Sequence, residues 1–564
     1  MKRLARIAVM SAALAAAAAA PPALANGRAI AADETSSRDK LRMLYSNRFE
    51  FTDDGTPLVT VEIMSGQDRV EIRAGRDAGG ISLIPDGTGA AIRGFDRFTL
   101  TAADTAPAQV REWTVVKRLG PDDEAGARRA IETWTERGFE PRRFEIGSVF
   151  GVVGEVLDSR QTLIAVAPAA PSQGSARAAR ISERFGVETW VHRELVRRPR
   201  GVVIAQSGPA VVENSHVMWL EPTDPNGTLE VADVITGRGG SNLETGVEAR
   251  RYFGRVYVTI DRDGKLAVAN AVPMNRLLAG LVPSEIFPSA PAVALAAQAI
   301  AARTDLLKQI GSRHFADPYL LCSSQHCQVY SGAGHEHPRT TRAVEKTRGK
   351  VLLREAGGLV DARYSASCGG HGEHNDVVWG DPPDPILRGT VDGPGAGRLA
   401  RFAGGITPQN LGAFLDLPAE ATYCGSTRYG RDRHRWSRRL EAAELSERLA
   451  SRYPHIGRVV ALEPAERGVS GRIRRLRVRG QRGEAMITGD LAIRRLLGGL
   501  NSSLFEVEPI GDSSSPRGFA IRGAGHGHGV GMCQLGAIGM ATKDFKSTEI
   551  LKHYYPGSRV RRLY

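Results

Sequence analysis

Between residues 57 and 101 apolar side chains fall on alternate positions. Val59, Val61 and Ile63 form one run, Val70 and Ile72 a second, and Ile81, Leu83 and Ile84 a third, with glycine-rich turns between them. A period of two places one set of side chains on one strand face, so residues 50–105 are predicted to form an N-terminal β unit. The pattern changes over 110–204. Residues 113–116, 144–146, 163–166 and 202–204 read as strands, and 125–138 and 176–185 as helices with one apolar face. The order β-α-β-β-α-β predicts a compact α+β module. Strand patterning returns from Arg250, turns at 261–264 and gives way to helical patterning at Pro273. Further on, strands are predicted at 475–478 and 484–488 and a helix at 490–497, before a segment at 521–564 rich in glycine and histidine. The fold class is therefore α+β: a strand-rich domain over 250–564 framing a groove, with the small module ahead of it.

Residues 1–25 have another character. A basic start at Lys2, Arg3 and Arg6 leads into an Ala-rich apolar run and ends in Ala23-Leu24-Ala25. This is the layout of a secretory signal peptide. The expectation is a secreted, periplasmic or wall-associated protein with no transmembrane segment once the leader is removed. Export makes nucleic acid an unsuitable partner for the formal charge of +13. Anionic cell-wall polymers suit it better. The cysteines are Cys322, Cys327, Cys368, Cys424 and Cys533. Their odd number leaves one over if the rest pair.

Four segments carry candidate chemistry. Glu285 lies between Val282-Pro283 and Ile286-Phe287-Pro288. A carboxyl among apolar groups loses hydration, which raises its pKa toward the value a general acid needs; a helix cap or an exposed side chain is the alternative. Cys322, His326 and Cys327 lie within six residues, with His314 upstream. That density suits tetrahedral zinc, or else a disulfide or separate thiols. The stretch from Tyr364 to Trp379 holds Ser367, Cys368, Gly369, Gly370, His371, Glu373 and Asp376. Its polar groups and indole suit a sugar, and Cys368 with His371 is a candidate nucleophile pair. The last segment, 523–541, holds His526, His528, Cys533 and Gln534 among glycines, as metal ligands or solvated side chains.

These segments resemble, in order and spacing, the motifs of the SpoIID/LytB family (stage II sporulation protein D and amidase enhancer). Residues 282–285 match its "VP-S-E" turn, and 296–304 its "AAQA-AAR" helix. The stretch 322–330 matches "C-x-x-x-H-C-Q-x-Y", 364–373 matches "Y-S-x-S-C-G-G-x-T-E", and 523–541 matches a glycine-rich "GHGVGMSQxGAxGMA" motif. Gly372 replaces a threonine of that pattern, Cys533 a serine, and His526 an aromatic or polar residue. The resemblance implies a peptidoglycan lytic transglycosylase acting on the MurNAc–GlcNAc bond, with Glu285 as acid and base. Glu285 would protonate the glycosidic oxygen, the C6 hydroxyl would attack the anomeric carbon, and a 1,6-anhydro sugar would result. It also implies a substrate groove lined by Ser284, Gln298, Arg303, Tyr330, Tyr364, Ser367, Gly369, Gly370, Glu373, His528 and Gln534. No cofactor is required. A structural zinc would be held by Cys322, His326 and Cys327, with His314 as fourth ligand and His335, His337 or the Cys368–His371 pair as rivals. Cys533 would be free or paired with Cys424. The 110–204 module resembles the SPOR domain, which binds peptide-stripped glycan. A hydrolase would need a second carboxylate, for which Asp305, Glu373 and Asp376 are available. Two further readings stand beside this one. The first is a non-catalytic glycan binder that enhances a cell-wall amidase. The second is a zinc amidase or peptidase using His526, His528 and the cysteines.

Overall fold

β-Branched residues at alternate positions build the first half of the molecule. In a computed structural model, which describes residues 30–31, 44–45, 50–85, 91–152, 155–235, 246–324, 327–355, 357–394 and 397–564, the strands that build the first half include Pro57–Gln67 (β1), Arg69–Ala74 (β2), Ile81–Ile84 (β3) and Arg97–Ala106 (β4), with short edge strands at Ile30–Ala31, Glu50–Phe51 and Ile92–Phe95. The leader and His326 lie outside the described residues. Buried and half-buried residues alternate along β1 from Pro57 to Ile63, as the pattern requires.

The chain then makes Gln109–Leu119 (β5), Glu124–Glu136 (α1), Arg142–Ile146 (β6), Gln161–Ala169 (β7), Gly174–Phe185 (α2) and Trp190–Arg197 (β8). The four strands form one antiparallel sheet in the order β8-β5-β7-β6. The side chain of Asp123 accepts from the Gly126 N–H and starts α1, and Gly186 ends α2 in a left-handed conformation. Both are ordinary caps. The β-α-β-β-α-β order is as predicted, but the last strand is Trp190–Arg197 rather than 202–204. Residues 202–204 pair with β4 instead, because an apolar run states that it is a strand and not which sheet it joins.

After the module come Arg200–Ser207 (β9), Ala210–Ser215 (β10), Val217–Pro222 (β11), Thr228–Ile235 (β12), Val247–Phe253 (β13), Arg255–Ile260 (β14) and Leu266–Pro273 (β15). They complete two large, mainly antiparallel sheets begun before the module. One runs β10-β9-β4-β2-β12-β13 and the other β1-β15-β14-β11-β3. The strands of 50–105 are thus not a sheet of their own: each sheet needs partners from beyond residue 200, and the module is inserted between the halves. The two sheets share a continuous apolar core with the helices that follow.

Strand β15 runs directly into Met274–Glu285 (α3), followed by Ala292–Gln309 (α4). Helix α4 is buried along nearly its whole length. Its alanines let Pro338–Lys346 (α5) and Lys350–Arg354 (β16) approach closely. Further on lie Tyr364–Ser365 (β17), Arg435–Glu441 (β18), Val459–Arg467 (β19), Ile473–Gly480 (β20), Glu484–Thr488 (β21), Asp490–Leu496 (α6), Phe505–Ile510 (β22) and Gly518–Ala524 (β23). The chain closes with Met532–Cys533 (β24), Gln534–Ala541 (α7), Ser547–Tyr554 (α8) and Ser558–Arg562 (β25). Strands β19-β20-β21 and β18-β23-β22 form two three-stranded sheets around a second core. The last strand, β25, returns to pair with β16. The strands predicted at 475–478 and 484–488 and the helix at 490–497 fall on β20, β21 and α6. The architecture is mixed α+β and strand-rich.

Phe98 is fully buried in the core between the large sheets. Its replacement by alanine removes a ring that the surrounding strands cannot collapse to fill. Phe98→Ala is expected to lower unfolding stability by about 3–5 kcal/mol, read as a lower urea midpoint with an unchanged slope.

Candidate active site

Glu285 is the last residue of α3. The "VP-S-E" motif predicts a turn here, with Glu285 at the start of the following helix. Instead the chain turns extended at Ile286 and begins α4 only after Pro291. The difference is chemical. The C-terminal end of a helix carries the negative pole of its dipole, which opposes a carboxylate there. Burial pushes the Glu285 carboxyl up to about 7, and the negative charge of Asp305 adds to the rise against one backbone hydrogen bond from Val329. Asp305, on α4, is itself pushed up to about 6 by burial and by Asp361. Gln328 donates to its Oδ2 at 2.6 Å. Two carboxyls therefore sit near neutrality in one place.

That place is a cleft of about 2000 Å³. Ser284, Glu285 and Asp305 line it, with Tyr364 and Trp379, and with His526, His528 and Gln534. Backbone pairing brings these segments together. Strand β17 lies parallel to β24, with Tyr364 opposite Met532 and Ser365 opposite Cys533. Ser367 and His526 exchange backbone hydrogen bonds at 3.0 and 2.8 Å. Gln534 donates to Gln298 of α4 at 3.3 Å. Three sequence segments thus become one wall. Trp379 carries the Arg363 guanidinium over its ring at 3.9 Å, and the edge of His528 at 4.8 Å, so one indole face is already covered.

The inserted module forms part of the same cleft through Arg118, Trp190 and His192. It is docked by an Arg118–Asp381 ion pair at 3.0 Å, by a Glu188–Arg474 pair and by His192 against Phe315. Lys308 and Arg313 add positive charge to the cleft.

His314, Cys322 and Cys327 come together as predicted, with ligand atoms within 4.8 Å of one another. His314 Nδ1 lies 3.0 Å from Asp317, which leaves Nε2 facing Cys327 at 3.2 Å. A carboxylate behind a metal-binding imidazole is the usual orienting arrangement. His314 holds this pose at a φ of 55°, an uncommon angle outside glycine. Two thiols and an imidazole are the donor set of a structural metal, although the two sulfurs, 2.7 Å apart, stand closer than the ~3.8 Å edge of a zinc tetrahedron. His335, His337 and the Cys368–His371 pair are not part of this cluster among the described residues.

A family model described as "Stage II sporulation protein" matches residues 262–353. The chain carries a domain of the stage II sporulation protein family. A second model, a domain of unknown function (DUF8618), matches residues 373–531. An uncharacterized protein of Brachyspira hyodysenteriae is 28% identical over 338 residues, 58% of this chain and 78% of that protein. The amidase enhancer of Bacillus subtilis is 27% identical over 297 residues, half of this chain and 40% of the enhancer. Stage II sporulation protein D of the same organism is 24% identical over 322 residues, 54% of this chain and 79% of that protein. The sporulation-protein domain holds Glu285, Asp305, Cys322 and Cys327; the opposite wall of the cleft comes largely from the region of the second model.

The predicted groove residues divide in two. Ser284, Glu285, Tyr364, His528 and Gln534 line the cleft, and Gln298 supports it from behind. The others are structural. Arg303 is fully buried and donates to the carbonyls of Lys350 and Val344. Tyr330 is buried with its hydroxyl on Asn270 at 3.0 Å. Ser367 is buried, and Gly369 and Gly370 take left-handed angles in a turn packed on Ala524, Gly525 and Thr422. Glu373 is 1% exposed and accepts from the Ser470 hydroxyl at 2.6 Å and from the N–H groups of His374, Val469 and Ser470. It is therefore neither a sugar ligand nor a second catalytic carboxylate. Asp376 pairs with Arg388, outside the residues lining the cleft. Cys368 is buried against Asp392 at 2.9 Å, and His371 turns its Nδ1 to the Gly372 carbonyl, so the two make no nucleophile pair. His526 and His528 belong to neither His/Cys/carboxylate cluster among the described residues. Sequence reasoning missed Arg472, which is 1% exposed and ties the carbonyls of Cys368 and His371 to Ser470. Nothing in its local pattern separates it from the many surface arginines around it.

Glu373→Ala would strand the buried donors of residues 469–470. The variant is expected to lose about 3 kcal/mol of stability by urea unfolding. A groove ligand would instead leave stability unchanged.

Proposed function

We propose that the protein cleaves peptidoglycan glycan strands as a lytic transglycosylase, with Glu285 as the single acid and base. The observation that carries this reading is the Glu285 carboxyl, held near a pKa of 7 at the mouth of a helix end inside the cleft. A group of that kind is protonated in a large fraction of molecules at neutral pH and returns to carboxylate at little cost. It can give its proton to the glycosidic oxygen. The C6 hydroxyl of the same sugar then closes onto the anomeric carbon and loses its proton to Glu285. One bond breaks, one forms, and the carboxyl ends as it began.

The relatives named stage II sporulation protein D and amidase enhancer support a wall polymer as substrate. Positive charge from Lys308 and Arg313 in the cleft suits lactyl carboxylates, which peptide-stripped strands expose. The inserted module contributes Arg118 and Trp190 to the cleft, and we infer that it binds glycan alongside Glu285, in the manner first suggested by its SPOR-like pattern. A wall-facing location follows from the same reading; no helix among the described residues is long and apolar enough to cross a membrane. A metal bound by His314, Cys322 and Cys327 would tie the 314–330 loop to β1, next to which Cys322 is paired. Val329 of that loop donates to Glu285, so the metal would position the acid without taking part in a step. The amidase-enhancer relative also favours a second reading, in which the cleft holds glycan without cutting it and recruits an amidase.

Wild type and Glu285→Gln, incubated with purified peptidoglycan and with peptide-stripped glycan, separate these readings by product mass. Release of 1,6-anhydro ends by wild type, reduced about 100-fold or more in the variant, is expected. Reducing ends in place of anhydro ends would make the enzyme a hydrolase, with Asp305 as the second carboxylate. Glycan bound and uncut by both proteins would favour the enhancer reading.

A further inference from the structure

The second cluster of ligand atoms lies away from the first and is enclosed by protein. Cys368, Asp392, Cys424 and Cys533 place three sulfurs and a carboxylate oxygen within 4.8 Å of one another. All four residues are at most 2% exposed. They come from separate parts of the chain: the turn after β17, the segment between 391 and 424, and the junction of β24 with α7. Cys368 and Cys424 sulfurs are 3.9 Å apart. That is close to the edge of a tetrahedron with sulfurs ~2.3 Å from its centre.

The surroundings are arranged as for bound thiolates. Backbone N–H groups of Cys368 and Gly536 point at the Cys533 sulfur, both at 3.2 Å. The Gly370 N–H points at the Cys368 sulfur at 3.3 Å. Asp392 uses one oxygen, Oδ1, to accept from the Tyr554 hydroxyl at 2.9 Å, and the same oxygen lies 3.1 Å from His553 Nε2. Its other oxygen, Oδ2, faces Cys368. Asp392 is thus fixed at one oxygen and turns the other toward the thiols, the orientation that outer-sphere partners give a ligand. Gly536 leaves room beside it: a Cβ there would come within 2.1 Å of the Tyr554 hydroxyl and 2.5 Å of Asp392 Oδ2. Three thiols also cannot all be satisfied by disulfides, since any one pair leaves a buried thiol over.

We propose that Cys368, Cys424, Cys533 and Asp392 bind a divalent zinc ion, in a structural site distinct from that of His314, Cys322 and Cys327. Three soft thiolates and one carboxylate, with ligand atoms within 4.8 Å of one another, select zinc over calcium or magnesium. All four positions are occupied by protein, so the ion has no open site for catalysis. Its role is to clamp segments up to 165 residues apart. Cys533 is followed by Gln534, which lines the cleft and bonds to Gln298, so the clamp sets the wall opposite Glu285. This assignment does not depend on the glycan-cleaving reading.

The test uses the full leader-free chain loaded with Zn²⁺ or Co²⁺, with metal measured by elemental analysis. Cys322→Ser/Cys327→Ser removes the first site. That variant is expected to retain about one zinc per chain, and its cobalt form to show tetrahedral ligand-field and thiolate charge-transfer bands. Adding Cys424→Ser should abolish both. Asp392→Asn, made in the same Cys322→Ser/Cys327→Ser background, keeps all three thiols and covers the case in which the Cys424→Ser variant does not fold. It should retain the charge-transfer bands while zinc affinity falls at least about tenfold. The proposal is overturned if the Cys322→Ser/Cys327→Ser protein holds no metal, whether its other thiols are free or its mass is lower by two hydrogens, the mark of a disulfide. Unchanged zinc affinity in Asp392→Asn would equally contradict the four-ligand assignment.

Discussion

Loss of water around one carboxyl is the constraint on which the site depends. Glu285 ends a helix whose negative pole faces it, with Asp305 close by and apolar chain on both sides. Each of these favours the neutral acid. A single N–H from Val329 opposes them. Glu285 is half-buried at the cleft surface, so this balance depends on the surrounding chain keeping its place. The fold supplies that rigidity from two directions. From below, β15 passes without a loop into α3, so the helix end is fixed by the register of β15 against β1 and β14. From above, the glycine-rich C-terminal segment is pinned by β17–β24 pairing and by the Ser367–His526 bridge.

Much of the second wall depends on buried polar groups with no chemical task. Glu373 and Arg472 tie the loop at 468–472 to the turn at 368–373, and Arg303 anchors α4 to β16. Such groups stabilise only as complete networks, since an unpaired member left behind is costly. This explains why motif residues divide into cleft residues and struts. A motif records that a residue type is needed at a position; it does not separate contact with a ligand from support of the backbone that makes the contact.

The strands of 57–101, the order of elements in the inserted module and the onset of helical patterning at Pro273 were legible because period-2 and period-3.6 patterns are local. Partner choice was not. Residues 202–204 joined a sheet begun before the module, and the strands of 50–105 needed partners beyond residue 200. Antiparallel pairing across an insertion leaves no mark in either strand alone. The candidate acid was legible from its apolar neighbours, but its place at the end of α3 was not, because Pro283 suggests a break and the helix runs on for two more residues. The Cys322–Cys327 cluster was legible from spacing. The cluster of Cys368, Asp392, Cys424 and Cys533 was not, because its ligands are dispersed over the chain and one of them is an ordinary aspartate.

Whether the fold holds Glu285 protonated to near neutral pH is read, without a substrate, from the unfolding free energies of wild type and Glu285→Gln. The folded-state pKa, about 7, lies above the reference value of 4.5, so ionisation is harder in the folded chain than in the unfolded one. The stability that the neutral acid contributes is fully present below pH 4.5 and is lost as the pH rises toward 7. Below pH 4.5 the difference between the two proteins is expected to be constant. Across the window to about pH 7 wild type should lose stability progressively relative to the variant, and above it the difference should be level again. A difference that stays flat from pH 4 to 8.5, or one in which wild type gains on the variant as pH rises, would mean that Glu285 is an ordinary carboxylate and would contradict the account.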